Sequence, residues 1–266
     1  MKTQVQTVTP EIASRFLQKN QGNRDYRKSW IAHLSRIIKN GEWMVTHQGI
    51  ALDKTGNLID GQHRLLAIID SGIPVEMNVT YDAESSTFGC IDIGVKRNLA
   101  DITRFNKKTA EVCSVMFRFL SIGRQKFPTA IEATQIYENG VGKLSEELNE
   151  FANKNVKFYS SAPFRLAAIL MIMDGHNKEY VFNLYYNLTN LSMDKLPPIA
   201  HSLIRQVHNY SINLHEKSYT IARALKVFDE KRANTQLVLT ASDLASVIPY
   251  ARTVYKNYAA QKANNG

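Results

Sequence analysis

The sequence predicts an α+β protein in two parts: a small mixed domain over residues 1–100, then an all-helical domain over 101–260, with a disordered polar tail at 261–266. Three observations carry this reading. Strand-like alternation is confined to roughly residues 43–100, and almost no strand signal follows Asp101. Apolar positions in the second part group at helical spacing. Gly175, Pro197-Pro198 and Asn209 to Asn213 then cut that part into helix-length pieces.

Taken in order, Thr9-Pro10-Glu11 offers a capping side chain, a proline at the first helical position and an acid in the first turn, so a helix to about Lys19 follows. A second helix runs from Asp25 to Asn40, with Trp30, Leu34, Ile37 and Ile38 on one face and Gly41 where a helix end favours a left-handed residue. The period then changes. Residues 49–53 read as a strand, Lys54-Thr55-Gly56-Asn57 as a turn, and Leu58-Ile59 as a second extended run. Gln62 to Asp70 is helical and ends at Ser71-Gly72, after which Val75 to Tyr81 alternates as another strand. A short helix is expected over Glu84 to Phe88, capped by Asp82. Thr129-Ala130-Ile131-Glu132 has the form of a capping box, and helices are expected near 144–153, 163–174, 178–189, 198–209, 218–232 and 241–258.

Composition narrows the function classes. Apolar residues make up 44% of the 266-residue chain, enough for a real core. No apolar run approaches the ~20 residues of a membrane span, and Met1 to Gln6 lacks the apolar stretch of a signal peptide. A cytoplasmic protein with no membrane partner is the expectation. Two cysteines form neither a disulfide framework nor a metal cluster, and the histidines at 47, 176, 201, 208 and 215 show no metal spacing. No P-loop, dinucleotide fingerprint or Ser/His/Asp arrangement is present. The net charge of +9 lies mostly after residue 100, which favours a polyanionic partner such as DNA, although a solvated lysine-rich surface explains it equally well. Within that half, Arg104, Lys107 and Lys108, with Arg118, Arg124 and Lys126, make the densest basic region. Phe105 and Phe117 are nearby candidates for base stacking, or simply core residues.

Chemistry concentrates at Asp60-Gly61-Gln62-His63-Arg64. A strand ends and a helix begins there, so the first helical N–H groups lack intrahelical acceptors and the helix dipole adds partial positive charge. Gly61 permits a sharp turn and a close ligand approach. Arg64 offers a planar fork of donors suited to phosphate, and His63 can exchange a proton near neutral pH. Positive side chains in a first turn oppose the dipole, so an anion or an acid should compensate them. Asp60 reads as a helix cap or, equally, as a magnesium ligand or a group that orients a nucleophile. Asp60 and His63 are therefore the candidate catalytic pair, and Gly61, Gln62, His63 and Arg64 the candidate phosphate contacts. Downstream, Asp92, with Gly94 and Lys96-Arg97 after it, either brings an acid and two cations to the same pocket or forms a tight turn before the helical domain.

These residues resemble the ParB/sulfiredoxin-like superfamily, whose Asp-Gly-Gln-His-Arg signature falls on Asp60 to Arg64 and whose likeness extends over about residues 8–100. Asn23-Arg24, Asn40-Gly41-Glu42-Trp43, and Ile91-Asp92-Ile93-Gly94 with Lys96-Arg97 add outlying matches. The resemblance implies nucleotide binding at the turn, with ATP or CTP and magnesium as cofactors and Arg24 as a further phosphate contact. It also implies a DNA-related process of a phage or plasmid. Members include CTP-dependent DNA clamps, an ATP-dependent sulfinic acid reductase, free-serine kinases, nucleases and proteins of DNA sulfur modification. Gln62 stands where the reductase needs cysteine, which argues against that chemistry, and where ParB has glutamate. Two readings stay open: an enzyme of phosphoryl-transfer, nuclease or DNA-modification type, or a non-catalytic DNA-binding regulator or nucleotide-gated clamp. Assembly into a homo-oligomer is compatible with either.

Overall fold

The computed structural model describes residues 1–20, 25–84, 98–121, 127–152, 156, 158–209 and 217–264. The chain forms two compact units, Met1–Lys96 with Ile122–Thr129, and Arg97–Ser121 with Ala130–Gly266. It is mixed α+β, with every strand among the described residues in the first unit.

The first unit holds a four-stranded sheet of order β1-β4-β2-β3, built from β1 (Lys2–Val8), β2 (Ile50–Asp53), β3 (Leu58–Asp60) and β4 (Val75–Ala83). β4 runs antiparallel to β1 and parallel to β2, and β2 pairs antiparallel with β3. Three helices join it: α1 (Pro10–Gln18), α2 (Lys28–Lys39) and α3 (Gln62–Ser71). Period-2 alternation puts Ile50, Leu52, Val75, Met77 and Val79 into one core with Ala13, Ile38, Leu65 and Ile68 of the helices. The opposite face keeps a row that crosses all four strands in register: Thr3 opposite Thr80, Thr80 opposite Ala51, and Ala51 opposite Asp60. Thr3 and Thr80 join hydroxyls at 2.9 Å.

β1 overturns the expectation that strands stay within residues 43–100. Its sequence, Lys-Thr-Gln-Val-Gln-Thr-Val, alternates only weakly in hydropathy, because most of it is exposed and Val8 alone is buried. Pairing with β4 along seven registered positions fixes it, a tertiary effect that local pattern does not carry. The helix expected from Asp25 begins at Lys28. Trp30 lies exposed instead of on the buried face that Ile38 occupies. Gly41 and Gly72 do adopt left-handed conformations after α2 and α3. Asp82 sits inside β4 with φ 56°, and residues 85–88 of the expected short helix lie outside the described residues.

The β2–β3 turn is fixed by Asp53, whose carboxylate accepts from Thr55 N and Oγ1 and from Asn57 N and Nδ2 at 2.7–3.0 Å. The Thr55 hydroxyl first, and the Asn57 donors with it, hold this carboxyl down at about 2 from its ordinary 3.8. A depressed folded pKa contributes stability above the unfolded value that is lost as pH falls through the folded one. The expected result is that the Asp53 carboxyl titrates near pH 2 by carbon NMR, with amide protection at Thr55 and Asn57 fading between about pH 4 and 2. A midpoint near the ordinary value would show that these bonds do not persist in solution.

The second unit is helical throughout its described residues: α4 (Leu99–Thr103), α5 (Lys107–Leu120), α6 (Ala130–Ile136), α7 (Gly142–Phe151), α8 (Ala162–Met173), α9 (Lys178–Asn190), α10 (Pro198–Asn209), α11 (Lys217–Phe228) and α12 (Ala241–Asn264), with short turns between. α8 is apolar on nearly every side and runs through the core, as such a helix must. Its one charge, Arg165, is 1% exposed and donates to Glu111 at 3.2 Å and Asn149 at 3.3 Å. Gln261 to Asn264, expected in a disordered tail, continue α12 instead. Ala259, Ala260 and Ala263 are strong helix formers, and they carry the polar end along.

Candidate functional site

The strand–turn–helix at Ile59 to Leu65 forms as the sequence implies, but its five signature residues face two directions. Gly61 is the residue before α3, with φ 105°. A Cβ there would sit 3.0 Å from Ile50 Cγ1 and 3.2 Å from the Gly49 carbonyl oxygen. The glycine is thus required by the left-handed turn and by close packing on the entrance to β2. It is buried, so the close approach expected of a ligand is made by the protein's own backbone.

Asp60 and Arg64 point to one side. They are four residues apart, one helical turn, and pair at 2.8 Å between Asp60 Oδ2 and Arg64 Nη2. Asp60 Oδ1 accepts the Gly61 N–H at 2.6 Å. Arg64 Nε donates to the Gly49 carbonyl at 2.9 Å. The acid that compensates Arg64 at the helix start is therefore Asp60 itself, which also complements the dipole of α3. Both guanidinium contacts use one edge of the fork. Nη1 has no hydrogen-bond partner among the described residues, and the Arg64 side chain is 19% exposed.

Gln62 and His63 point to the other side. Gln62 is buried, and its Oε1 accepts from Asn20 Nδ2 at 3.2 Å. His63 Nε2 accepts the Arg27 N–H at 3.0 Å, at the residue that opens α2. An imidazole nitrogen that accepts carries a lone pair, so this geometry selects the tautomer with its proton on Nδ1. These two residues hold the ends of α1 and α2 against the start of α3.

Asp60 and Arg64 line a cleft of ≈290 Å³ together with His47, Gln48, Gly49, Ile50, Ala51 and Thr80. Three of these, Asp60, Ala51 and Thr80, belong to the registered row on the sheet face opposite the core. The His47–Gly49 wall is held by one bond within the loop and one from β4. Thr46 Oγ1 donates to the Gln48 carbonyl at 3.2 Å, and Asn78 Nδ2 donates to the Thr46 carbonyl at 2.7 Å. Gly49 is forced by contact, since a Cβ there would lie 1.9 Å from the Asn78 carbonyl oxygen. The cleft thus joins a fixed guanidinium, a carboxylate, a hydroxyl and an imidazole. That set suits a ligand bearing both an anionic group and hydroxyl or amine donors.

Sequence reasoning missed His47, Gln48 and Thr80 as lining residues. The signal for Thr80 was its parity on the strand opposite the buried Val79, and the loop residues carried none. Arg24, Asp92, Arg97, Arg124 and Lys126 lie outside the described residues. Arg104, Lys107 and Lys108 belong to the other unit. Arg104 ends α4 in a left-handed conformation and is exposed, as is Lys107 at the start of α5. Lys108 is half-buried, and desolvation, with Arg165 nearby, lowers its pKa. Phe117 is in the core and Phe105 stacks on Tyr137 at 4.4 Å, so the duller reading of both rings is the one the structure supports.

Among the described residues, no three or more His, Cys, Asp or Glu side chains gather as metal ligands, and no helix is long and apolar enough to cross a membrane. Comparison with protein-family profiles, curated proteins and solved structures gives no match.

Proposed function

We propose that this protein binds a phosphate-bearing ligand of nucleotide type, such as ATP or CTP, in the cleft beside Asp60 and Arg64. We place it in a DNA-related process of a mobile element, in keeping with the ParB/sulfiredoxin-like superfamily that the Asp60–Arg64 signature resembles. The observation that carries the reading is the pre-oriented Arg64. Its Nε and Nη2 are pinned by the Gly49 carbonyl and Asp60 at the wall of an open cleft, so little rotamer freedom remains to be lost on binding. Thr80 and His47 line the same cleft and would take the sugar hydroxyls or further phosphate oxygens.

Binding is favoured over catalysis because Asp60 and His63 do not act on one space. Asp60 lines the cleft, whereas the Nε2 of His63 is engaged by the Arg27 backbone. As Asp60 is the carboxylate of the cleft, magnesium would be held by it together with ligand phosphates and water, which is how this ion usually binds. Isothermal titration of the intact chain with nucleoside mono-, di- and triphosphates and inorganic phosphate, with and without magnesium, tests the reading. Saturable binding of at least one nucleotide is expected, and binding of none would sink it.

Asp60→Asn refines the test. Asparagine keeps an oxygen for the Gly61 N–H but removes the negative charge beside the phosphate. Without magnesium, nucleotide affinity is expected to stay close to the parent's or to rise, while any magnesium dependence disappears. Titrations of parent and variant side by side check this. A loss as large as that from removing Arg64 would make Asp60 a positioning group for the guanidinium. Should the parent turn nucleotide over and the variant bind it without turnover, the catalytic reading of Asp60 would stand instead.

A further inference from the structure

We infer that β1 pairs with β1 of a second copy of this chain, in an antiparallel register centred on Val5, whatever fills the cleft. β1 is an edge strand: it bonds to β4 on one side, and among the described residues no strand lies beyond it. Lys2, Thr3, Gln4, Val5 and Thr7 are exposed, and Val5, at the centre of the strand, is 55% exposed. All seven residues of β1 pair with β4 without a shift, so the edge is unbroken. Folded proteins usually blunt such an edge with a proline, a bulge or charges. β1 has no proline, no bulge and one charge, Lys2 at its end.

The sequence of the strand selects its own copy as the occupant. Thr3-Gln4-Val5-Gln6-Thr7 reads the same in both directions. Antiparallel pairing about Val5 therefore sets Val5 opposite Val5, Gln4 opposite Gln6 and Thr3 opposite Thr7, and it uses every residue of the strand. Any other centre leaves part of the strand unpaired. The valine pair covers two exposed side chains, and threonines opposite each other stabilise neighbouring strands. The amides are ordered beforehand: Gln6 Oε1 accepts from Gln4 Nε2 at 3.3 Å and from the Tyr81 hydroxyl at 3.1 Å, so less freedom is lost on pairing. Charge agrees. Lys2 falls opposite Val8 of the other copy and not opposite its own counterpart, towards the exposed Glu11 in the first turn of α1. An unrelated extended peptide has no reason to match this register. A two-fold pairing of this kind is closed, and its axis stands at right angles to the sheet. Two four-stranded sheets would continue as one, with both clefts on the same side.

Sedimentation velocity of the intact chain over a range of concentrations is expected to show a monomer–dimer equilibrium. Val5→Lys and Val5→Glu each place like charges directly opposite at the two-fold, and each alone should weaken the dimer roughly tenfold. Their melting temperatures should stay near the parent's, because Val5 is exposed. An equimolar mixture of the two variants should recover the dimer. Register is read by cross-linking in a Cys90→Ser background, the other cysteine, Cys113, being buried. Val5→Cys should link to its own copy through a short bis-maleimide, while Thr3→Cys alone, set opposite Thr7, should link far less. A monomer at every concentration would overturn the proposal. So would a dimer that Val5→Lys and Val5→Glu leave intact, which would place the contact on another surface. A mixture that stays monomeric at parental melting temperature, or Thr3→Cys linking as readily as Val5→Cys, would overturn it equally.

Discussion

Gly49→Ala is expected to destabilise the first unit by about 3 kcal/mol, the upper end of what overpacking a close contact costs. The added Cβ would stand 1.9 Å from the Asn78 carbonyl oxygen and 2.7 Å from its carbonyl carbon. These are backbone atoms of β4, an interior strand paired on both edges, so no flexible side chain can move aside. Relief must come from displacing the strand or the entrance to β2. The second choice also moves the Gly49 carbonyl that accepts from Arg64 Nε, so ligand affinity should fall with stability. The helical unit has its own core and should be spared. Urea unfolding followed by Trp43 fluorescence, which reports the first unit, should shift to lower midpoint, while most of the helical circular dichroism persists. An unchanged Trp43 midpoint would show that the segment before β2 yields at little cost, and that the cleft wall is softer than its contacts suggest.

Arg64→Ala is expected to lower nucleotide affinity roughly ten- to a hundredfold, as one to two lost charge-assisted hydrogen bonds imply. The fold should change less. Asp60 keeps the Gly61 N–H, and its side chain, 36% exposed, exchanges the guanidinium for water. Arg64→Lys sharpens the argument: an ammonium restores charge but cannot hold the Gly49 carbonyl, Asp60 and a phosphate in one plane. It should recover only part of the affinity. Full recovery by lysine would reduce the role of Arg64 to unspecific charge. Affinity untouched in both variants, with parental melting temperatures, would remove the cleft from the binding site altogether.

Much of the fold was legible because local chemistry agreed with the tertiary outcome. Thr9-Pro10-Glu11 opens α1, and the Thr9 side chain accepts from the Ile12 N–H as a cap should. Gly72 ends α3, and helices of the second unit fall close to the ranges that periodicity and punctuation mark. What escaped depended on partners distant in sequence. β1 exists through its register with β4, and α5 was hidden behind the basic residues at its start, although Val112, Cys113, Val115 and Met116 are all buried. The site was legible in identity but not in direction. A helix sends neighbouring residues to different sides, so Asp60 and Arg64 reach the cleft while Gln62 and His63 hold α1 and α2. No local pattern predicts which side carries a cleft.

The return of Phe127 to Thr129 into the first unit bears on the order in which the protein assembles as it is synthesised. Thr129 Oγ1 donates to Glu42 at 2.9 Å, and the Phe127 carbonyl accepts from Arg36, so these residues complete a unit begun more than eighty positions earlier. Domains tend to fold from the N-terminus as the chain leaves the ribosome. Here the sheet and its three helices can form once β4 has emerged, yet they must wait for α4 and α5 to follow before their last contacts arrive. A nascent chain halted just after residue 96 would therefore present α2 without its Phe127 partner, and a chain halted after Thr129 would not. The helical unit is interrupted in its turn, since α5 appears before the segment that leaves it. The first unit is thus completed only after the helical unit has begun to emerge, and the helical unit is split by the segment that completes its neighbour.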